Sequence, residues 1–564
     1  MPGKLGPENL DLILAQSLRR FTHVRRFFAG QKNAQLAQNE RLMRIVRNNC
    51  DTAFGRKHNF ASIKNYEDFK SFVPPSTYED LEPYIEKSMR GEPRQLTVES
   101  PFMFATTSGT TARAKFIPIT AEHLRDYTHA FQVHNYHLIE DFPAAASGKF
   151  LIIASNDEEG RTSGNLPYGA VSGLLNKRQS AVVRRHFALP YEICKVKEVD
   201  AKYYLLLRAA LVQRVTALLG CNPSSFLLLA DQLRDNAARL IKDIFDGTID
   251  QSVVGSVPEP VLAAFAPYMK ANHQRARQLD KILNANGKLL PLDVFPDAGV
   301  LSCWKGGSMG FYLSQLKEYY GDLAVRDFGY MASEGRGTVP IANSGAAGPL
   351  ALTSHFFEFV EESELSSSSP RFMLAHELEV GRRYFIYFTT AAGLYRYNIN
   401  DLIEVEGKLL GAPLVSFVRK GGGVSSITGE KLTEEQVLGA LSRTFQTLDM
   451  DAIRHFTTEV VPERPPYYLC YAEVDGVMAA ALRESFLNVF DSCLRAANPE
   501  YEDKRASKRL GPPQIQLLAP GTYARIRQQR VMEGAPEAQV KIPLLSPQGN
   551  FGSRLAVLAG GACQ

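Results

Sequence analysis

Thr106-Thr-Ser-Gly-Thr-Thr-Ala-Arg-Ala-Lys115 sets five hydroxyl side chains around one glycine and ends on a lysine. Backbone N–H groups freed by Gly109, with the hydroxyls of Thr107, Ser108, Thr110 and Thr111, can converge on phosphate oxygens, and Lys115 adds a fixed positive charge. The composition equally suits a solvated turn. The Walker pattern G-x-x-x-x-G-K-[ST] occurs nowhere in the chain, so any phosphate site here is of another design.

Further along, Tyr330-Met-Ala-Ser-Glu334 places a carboxylate beside Ser333 and a tyrosine. Glu334 could hold Mg2+, which commonly takes one or two carboxylates plus substrate phosphates, while Tyr330 stacks on a base. It could also be an acidic residue at a helix N-terminus. Asp401 closes the alternating run Gly393-Leu-Tyr-Arg-Tyr-Asn-Ile-Asn-Asp401, and a carboxylate at a strand end can accept both hydroxyls of a ribose, or serve an ordinary turn. Lys541 lies in Gln539-Val-Lys541-Ile-Pro-Leu-Leu, an apolar setting where a lysine is less expected. A rival chemistry comes from Gly306-Gly-Ser-Met-Gly310, a G-x-S-x-G match between a strand and a helix. There Ser308 would be a hydrolase nucleophile, with His355, His376 or His455 as downstream base. A pocket-lining turn is the plainer reading of the same residues.

The elements that must position these groups are those of an α/β protein. The chain has 564 residues, which requires more than one domain. Helical spacing runs through residues 8 to 50, 201 to 247 and 258 to 285. Phe150-Leu-Ile-Ile-Ala154 is fully apolar, as in a strand of a buried parallel sheet, and Val300-Leu-Ser-Cys-Trp304 is strand-like. From His355 to Gly407 the pattern alternates as in antiparallel strands, with Ser366 to Ser369 as a hairpin loop. Gly421-Gly-Gly423 frees the backbone between two structured runs and marks a hinge. The expected division is a large ATP- and acyl-binding domain over 1–420, a hinge over 421–431 and a small α+β domain over 432–564. In the last, Thr433-Glu-Glu-Gln436 starts a helix to about 446, followed by a strand at 467 to 473, a helix at 479 to 495, a strand at 513 to 518 and a basic helix at 523 to 533.

Composition excludes several classes. Net charge is only +4 on 64 basic and 60 acidic side chains, which argues against nucleic-acid or membrane-surface partners. Seven cysteines with no C-x-x-C pair argue against a disulfide framework and for a reducing, cytoplasmic setting. No apolar run approaches the ~20 residues of a membrane-spanning helix.

Taken together and in order, Thr107-Ser-Gly-Thr-Thr111, Tyr330-Met-Ala-Ser-Glu334, Gly393 to Asp401, Phe417-Val-Arg-Lys420 and Gln539-Val-Lys541-Ile-Pro543 resemble the Gretchen Hagen 3 acyl-acid amido synthetases, within the adenylate-forming enzymes. The resemblance spans about residues 35 to 545. It implies a large N-terminal domain of layered α/β sheets with a β-barrel-like subdomain, and a small C-terminal α+β domain. It implies a ligase using ATP and Mg2+, acting on a carboxylic acid and an amino acid, as a monomer or dimer. An acyl-adenylate forms with release of pyrophosphate, and an amine then displaces AMP. By position, the hydroxyl loop and Lys115 hold phosphates. Tyr330 and Ser333 lie near the adenine, Asp401 binds ribose and Glu334 takes Mg2+. Arg419 and Lys431 flank the nucleotide near the hinge, and Lys541 reaches the reacting phosphate. Ser308, Met309, Tyr312 and Met331 border the acyl pocket. A related enzyme with coenzyme A as acceptor, a serine hydrolase and a nucleotide-binding protein without turnover are the alternatives. The sequence departs from the family pattern at Ala112 and Asn400, where glycine is usual, and at the three hinge glycines.

Overall fold

The computed structural model describes residues 10–560, apart from 108–114, 366, 368, 422, 426, 428, 429, 451, 452, 464, 507–509, 534, 536, 538, 539 and 548. The chain forms two compact units: Met1–Ile399 with Ile403–Phe417, and Asn400–Leu402 with Val418–Gln564.

The first unit contains three large sheets. One is a parallel sheet of four strands, in the order Lys149–Ile152, Val215–Leu219, Val300–Cys303 and Ala324–Asp327. All four residues of Val300–Cys303 are buried, as are four of the five in Val215–Leu219, as expected where helices cover both faces. The second is a four-stranded sheet in which Met103–Thr107 pairs antiparallel with Lys115–Ile119 and parallel with Pro167–Gly169. The third, the β-rich part, is a six-stranded sheet ordered Gly348–Pro349, Ala412–Lys420, Tyr397–Leu409, Arg383–Thr389, Phe356–Glu361 and Met373–Leu374. Phe356, Phe357, Phe359, Ile386 and Phe388 of two neighbouring strands join one extended apolar cluster.

Two strands depart from the sequence reading. Val215–Leu219 lies inside the stretch expected to be helical over 201 to 247, between the helices Val199–Ala210 and Pro223–Asp235. Val-Thr-Ala-Leu-Leu is too short and too uniformly apolar for periodicity to separate a central strand from a helix turn. In the second unit, Ile453–Val461 pairs antiparallel with Tyr467–Val474, forming a strand where none was read. The Ser366 to Ser369 loop does join two antiparallel strands, Phe356–Glu361 and Met373–Leu374.

The second unit has a four-stranded sheet, ordered Gln514–Leu518, Tyr467–Val474, Ile453–Val461 and Leu545–Ser546. The helices Glu434–Leu448 and Ala480–Ala497 pack on each other. The first of these starts as its sequence dictates. Thr433 Oγ1 accepts from the Gln436 N–H at 3.2 Å, and Gln436 Oε1 accepts from the Thr433 N–H at 3.0 Å, a reciprocal cap. Among the described residues, no helix is long and apolar enough to cross a membrane, and the six cysteines are free thiols.

Candidate active site

The hydroxyl-rich stretch connects two paired strands, with Thr107 opposite Lys115 in the register. Ser108, Gly109, Thr110 and Thr111 lie outside the described residues, as does the side chain of Thr107. The two ends of the loop are well anchored. Thr106 is buried, and its hydroxyl donates to Glu159 Oε2 at 3.3 Å. Burial pushes the Glu159 carboxyl up to about 7, opposed by the Thr106 hydrogen bond and by Lys202 and Lys197. At the other end the Phe116 N–H donates to the Tyr78 hydroxyl at 2.9 Å, and the Lys115 ammonium lies 5.2 Å from the Tyr78 ring centre.

Lys115–Ile119 leads through the N-cap Thr120 into the helix Ala121–Asp141. From that helix the Tyr127 hydroxyl donates to the Ala332 carbonyl at 3.2 Å. This ties the loop's own helix to the Tyr330–Glu334 motif. The motif is a tight hairpin: Met331–Ala332 pairs with Gly335–Arg336, and Ser333 and Glu334 form its two-residue turn. Glu334 therefore stands at a hairpin tip, not at a helix N-terminus. It is 6% exposed and Ser333 is 5% exposed.

Tyr330 enters this hairpin with its ring stacked on Phe417, centroids 5.8 Å apart and planes 16° from parallel. Gly337 makes the seat possible, since a Cβ there would fall 2.2 Å from Tyr330 Cδ1. The Tyr330 N–H donates to Thr338 Oγ1 at 2.9 Å. Beneath the hairpin lies a fully buried cation, Arg336, which sequence reasoning did not single out. Its guanidinium donates to the carbonyls of Phe328 (2.7 Å) and Thr338 (3.1 Å), and lies 4.2 Å from the Phe131 ring centre. Burial lowers it to about 10. The signal available was only a Gly-Arg-Gly tripeptide, which carries no burial information.

The structure sets the hydrolase reading aside. His355 is fully buried, and its Nε2 accepts from the Arg336 backbone N–H at 3.2 Å. Desolvation, with His123 and Arg41 nearby, holds it well below the usual histidine range. Such a ring has no lone pair to offer a serine. Gly307–Met309 is a single 3-10 turn leading into the helix Gly310–Tyr320. Met309 and Tyr312 are buried and Met331 is half-buried, while the Ser308 side chain lies outside those described.

The second unit gathers its own set. Asp401 is 3% exposed and forms an ion pair with Lys420 at 2.6 Å, a partner the sequence reading left out of the site. Arg419 is buried, with Nη1 3.3 Å from the Lys420 carbonyl. Asn400 has φ +59°, the left-handed region that glycine favours and asparagine tolerates. Its presence where the family has glycine is thereby explained. Its amide donates to the Gly421 carbonyl at 2.8 Å, and the Gly421 N–H donates to the Asn400 carbonyl at 2.7 Å. Lys431 also has a positive φ, +45°, and its side chain is exposed. Lys541 is exposed between buried Val540 and Leu544. Burial raises the Glu434 carboxyl, which accepts from the Leu544 N–H at 2.7 Å, while the charge of Lys541 pulls it back down. Thus Tyr330, Ser333 and Glu334 share one hairpin, and Asp401 and Arg419 share one neighbourhood with Lys420.

As to metals, the donor available at the hairpin is the Glu334 carboxylate, and the described residues hold no cluster of three ligating side chains. One hard oxygen donor fits Mg2+, which keeps waters and substrate phosphates in its shell, and does not fit a zinc centre.

The parallel and antiparallel sheets of the first unit and the α+β second unit define a mixed α/β protein. Its fold is shared with the solved structure of AtGH3.15 acyl acid amido synthetase in complex with 2,4-DB, at a TM-score of 0.83 over 99% of this chain and 97% of that one, with 22% identity. The sequence matches the GH3 family N-terminal domain over residues 23–325, its central domain over 348–420 and its C-terminal domain over 435–550. The chain belongs to the GH3 family. Relatives include a jasmonoyl–L-amino acid synthetase, JAR4, of Nicotiana attenuata, 25% identical over 545 residues and 92% of each chain. Another is a probable indole-3-acetic acid-amido synthetase, GH3.2, of Oryza sativa subsp. japonica, 27% identical over 89% of this chain and 86% of the relative.

Proposed function

We propose that this protein is an ATP-dependent acyl-acid amido synthetase, which activates a carboxylic acid as its adenylate and passes the acyl group to an amino acid. Membership of the GH3 family over nearly the whole chain supports the ligase class, and relatives named as amido synthetases support the amine acceptor. The observation that carries the reading within the site is the Tyr330–Arg336 hairpin. It presents Glu334 and Ser333 at its tip, next to an aromatic wall of Tyr330 and Phe417.

A carboxylate is a poor electrophile until one oxygen becomes part of a mixed anhydride with phosphate. Its attack on ATP brings two anions together, so phosphate charge must be met by fixed donors. The loop ending at Lys115 supplies N–H groups, hydroxyls and an ammonium. Glu334 would hold Mg2+, which supplies charge neutralisation at the phosphates when bound. Asp401, ion-paired with Lys420, offers carboxylate oxygens to the ribose hydroxyls. Arg419, Lys431 and Lys541 of the second unit are assigned to the nucleotide and its phosphates by their positions in the family pattern. In the second step an amine displaces AMP, forming the C–N bond as the acyl C–O bond breaks. The glycine run at 421 to 423 is the proposed hinge between the two steps, and the free thiols among the described residues are compatible with a cytoplasmic setting.

The test is acid-dependent pyrophosphate release over a panel of aromatic, fatty and cyclopentane carboxylic acids, each with and without amino acids. Release with at least one acid, amide formation in the presence of one amino acid and loss of both in Glu334→Ala are expected. Thioester formation with coenzyme A in place of amide would move the protein to the acyl-CoA ligases. Tight ATP binding with no release for any acid would mark it as non-catalytic.

A further inference from the structure

Lys431 stands in a backbone conformation that a lysine rarely adopts, φ +45°. Such a conformation persists only when the surroundings over-determine it, and it tends to mark a working residue. The surroundings here are unusually complete. Glu430, immediately before it, is fully buried. Its carboxylate accepts from the hydroxyl of buried Tyr468 and from the backbone N–H of Ile427, the latter at 3.1 Å. The Tyr468 hydroxyl lies 3.1 Å from Ser425 Oγ, on the strand that pairs with Leu432–Thr433 just beyond Lys431. On the other side buried Asn498 donates its amide to the Glu430 carbonyl at 2.8 Å and lies 3.5 Å from the Lys431 carbonyl. Asn498 is itself fixed, since its Oδ1 accepts from the Tyr501 N–H at 2.9 Å and its amide reaches Gln436 Oε1 at 3.0 Å.

We infer that the buried Tyr468–Glu430–Asn498 network is a positioning device for Lys431, holding its backbone in the left-handed turn that aims the ammonium at the nucleotide. The inference rests on the proposed adenylation and on the role of Lys431 in it. A buried carboxylate in a small domain is costly to desolvate and is retained only with its donors in place. A purely structural turn needs no such group. The strand pair Val424–Ser425 with Leu432–Thr433 already closes the loop, and the carbonyl held by Asn498 is that of Glu430, in the peptide unit that enters Lys431. The network therefore fixes the peptide unit entering this one exposed residue.

The experiment is a double-mutant cycle on acid-dependent ATP–pyrophosphate exchange, using Tyr468→Phe, Lys431→Ala and the pair, with melting temperatures for each. Tyr468→Phe keeps the ring and removes the hydroxyl. It is expected to lower exchange about tenfold, within the range of coupling for residues in one network, and to have no further effect once Lys431 is alanine. Equal losses in both backgrounds would assign Tyr468 to general stability and overturn the positioning role. Full activity of Lys431→Ala would instead overturn the reading of Lys431 itself, and the inference with it. A readout independent of turnover is trypsin cleavage after Lys431 in the native protein, mapped by mass spectrometry. Tyr468→Phe and Asn498→Ala are expected to accelerate it at unchanged melting temperature. An unchanged cleavage rate in both would refute the backbone anchoring.

Discussion

Gly337→Ala probes the aromatic seat of the site with a single methyl group. The added Cβ would fall 2.2 Å from Cδ1, 2.6 Å from Cε1 and 3.2 Å from Cγ of Tyr330. Carbon atoms in contact sit ~3.5–4.0 Å apart, so the ring must retreat by roughly 1 Å. It cannot slide freely, because Phe417 stacks on it at 5.8 Å, Phe388 meets it edge-on at 6.3 Å and its N–H is bonded to Thr338. Overpacking of this kind costs about 1–3 kcal/mol. A misplacement of ~1 Å in a positioning group costs on the order of 10²-fold in rate. The expected result is a fall in kcat/KM for ATP of that order in acid-dependent pyrophosphate exchange, with a lowered Tm. Adding Tyr330→Ala removes the clash, so Tm should recover while activity should not. Wild-type kcat/KM in Gly337→Ala would refute the reasoning, since it would mean that the ring moves without consequence.

Other perturbations have equally definite outcomes. Arg396 and Glu358 are a buried pair, 2% and 1% exposed at the side chain and 2.9 Å apart, with Tyr66 also donating to Glu358; Arg396→Met strands the carboxylate and should cost about 3–5 kcal/mol in urea unfolding. Asn400→Gly should leave stability and exchange nearly unchanged, because glycine accepts φ +59°, whereas Asn400→Ala should cost about 1–2 kcal/mol through the left-handed backbone, read as a lower Tm. For pH, burial lowers His123 and His129 to about 3 and takes His134 and His355 well below the usual range. These depressed values give stability that is present above 6.5 and lost as pH falls. Burial raises Asp126 and Glu159 to about 7, giving stability that is present in acid and lost as pH rises through about 7. Burial likewise lowers His455 to about 4 and raises Asp327 to about 6, so the histidine and carboxyl contributions oppose each other between pH 4 and 7. NMR titration of the buried rings isolates the histidine part: they are expected to stay neutral in the folded protein at pH 5.5, and a ring that charges near pH 6.5 would contradict its burial.

Part of the local structure around the candidate residues was legible in short motifs. The helix capped at Thr433 starts where its sequence places it, whereas Glu334 stands at a hairpin tip and Asp401 lies inside the strand Tyr397–Leu409 instead of at a strand end. What the sequence concealed depends on long-range contacts. Val215–Leu219 is an apolar pentapeptide whose strand character comes from its neighbours in the sheet. Neither Arg336 nor Lys420 stood out as a site residue in the sequence, yet one is fully buried in the hairpin and the other pairs with Asp401. Asn400 looked like a departure from pattern, and its positive φ makes it a substitute for glycine. Glu430 and Asn498 are 68 residues apart, and only the folded chain brings them together around Lys431.

The most direct measurement is mass-spectrometric detection of an acyl-adenylate in a mixture of the protein, ATP, Mg2+ and the acid panel, chased with amino acids. The account predicts one or a few acids that accumulate as adenylates, stoichiometric pyrophosphate, and conversion of the adenylate to an amide with release of AMP on the chase. Saturable ATP binding with no adenylate from any acid, or an adenylate that no amine consumes, would contradict it.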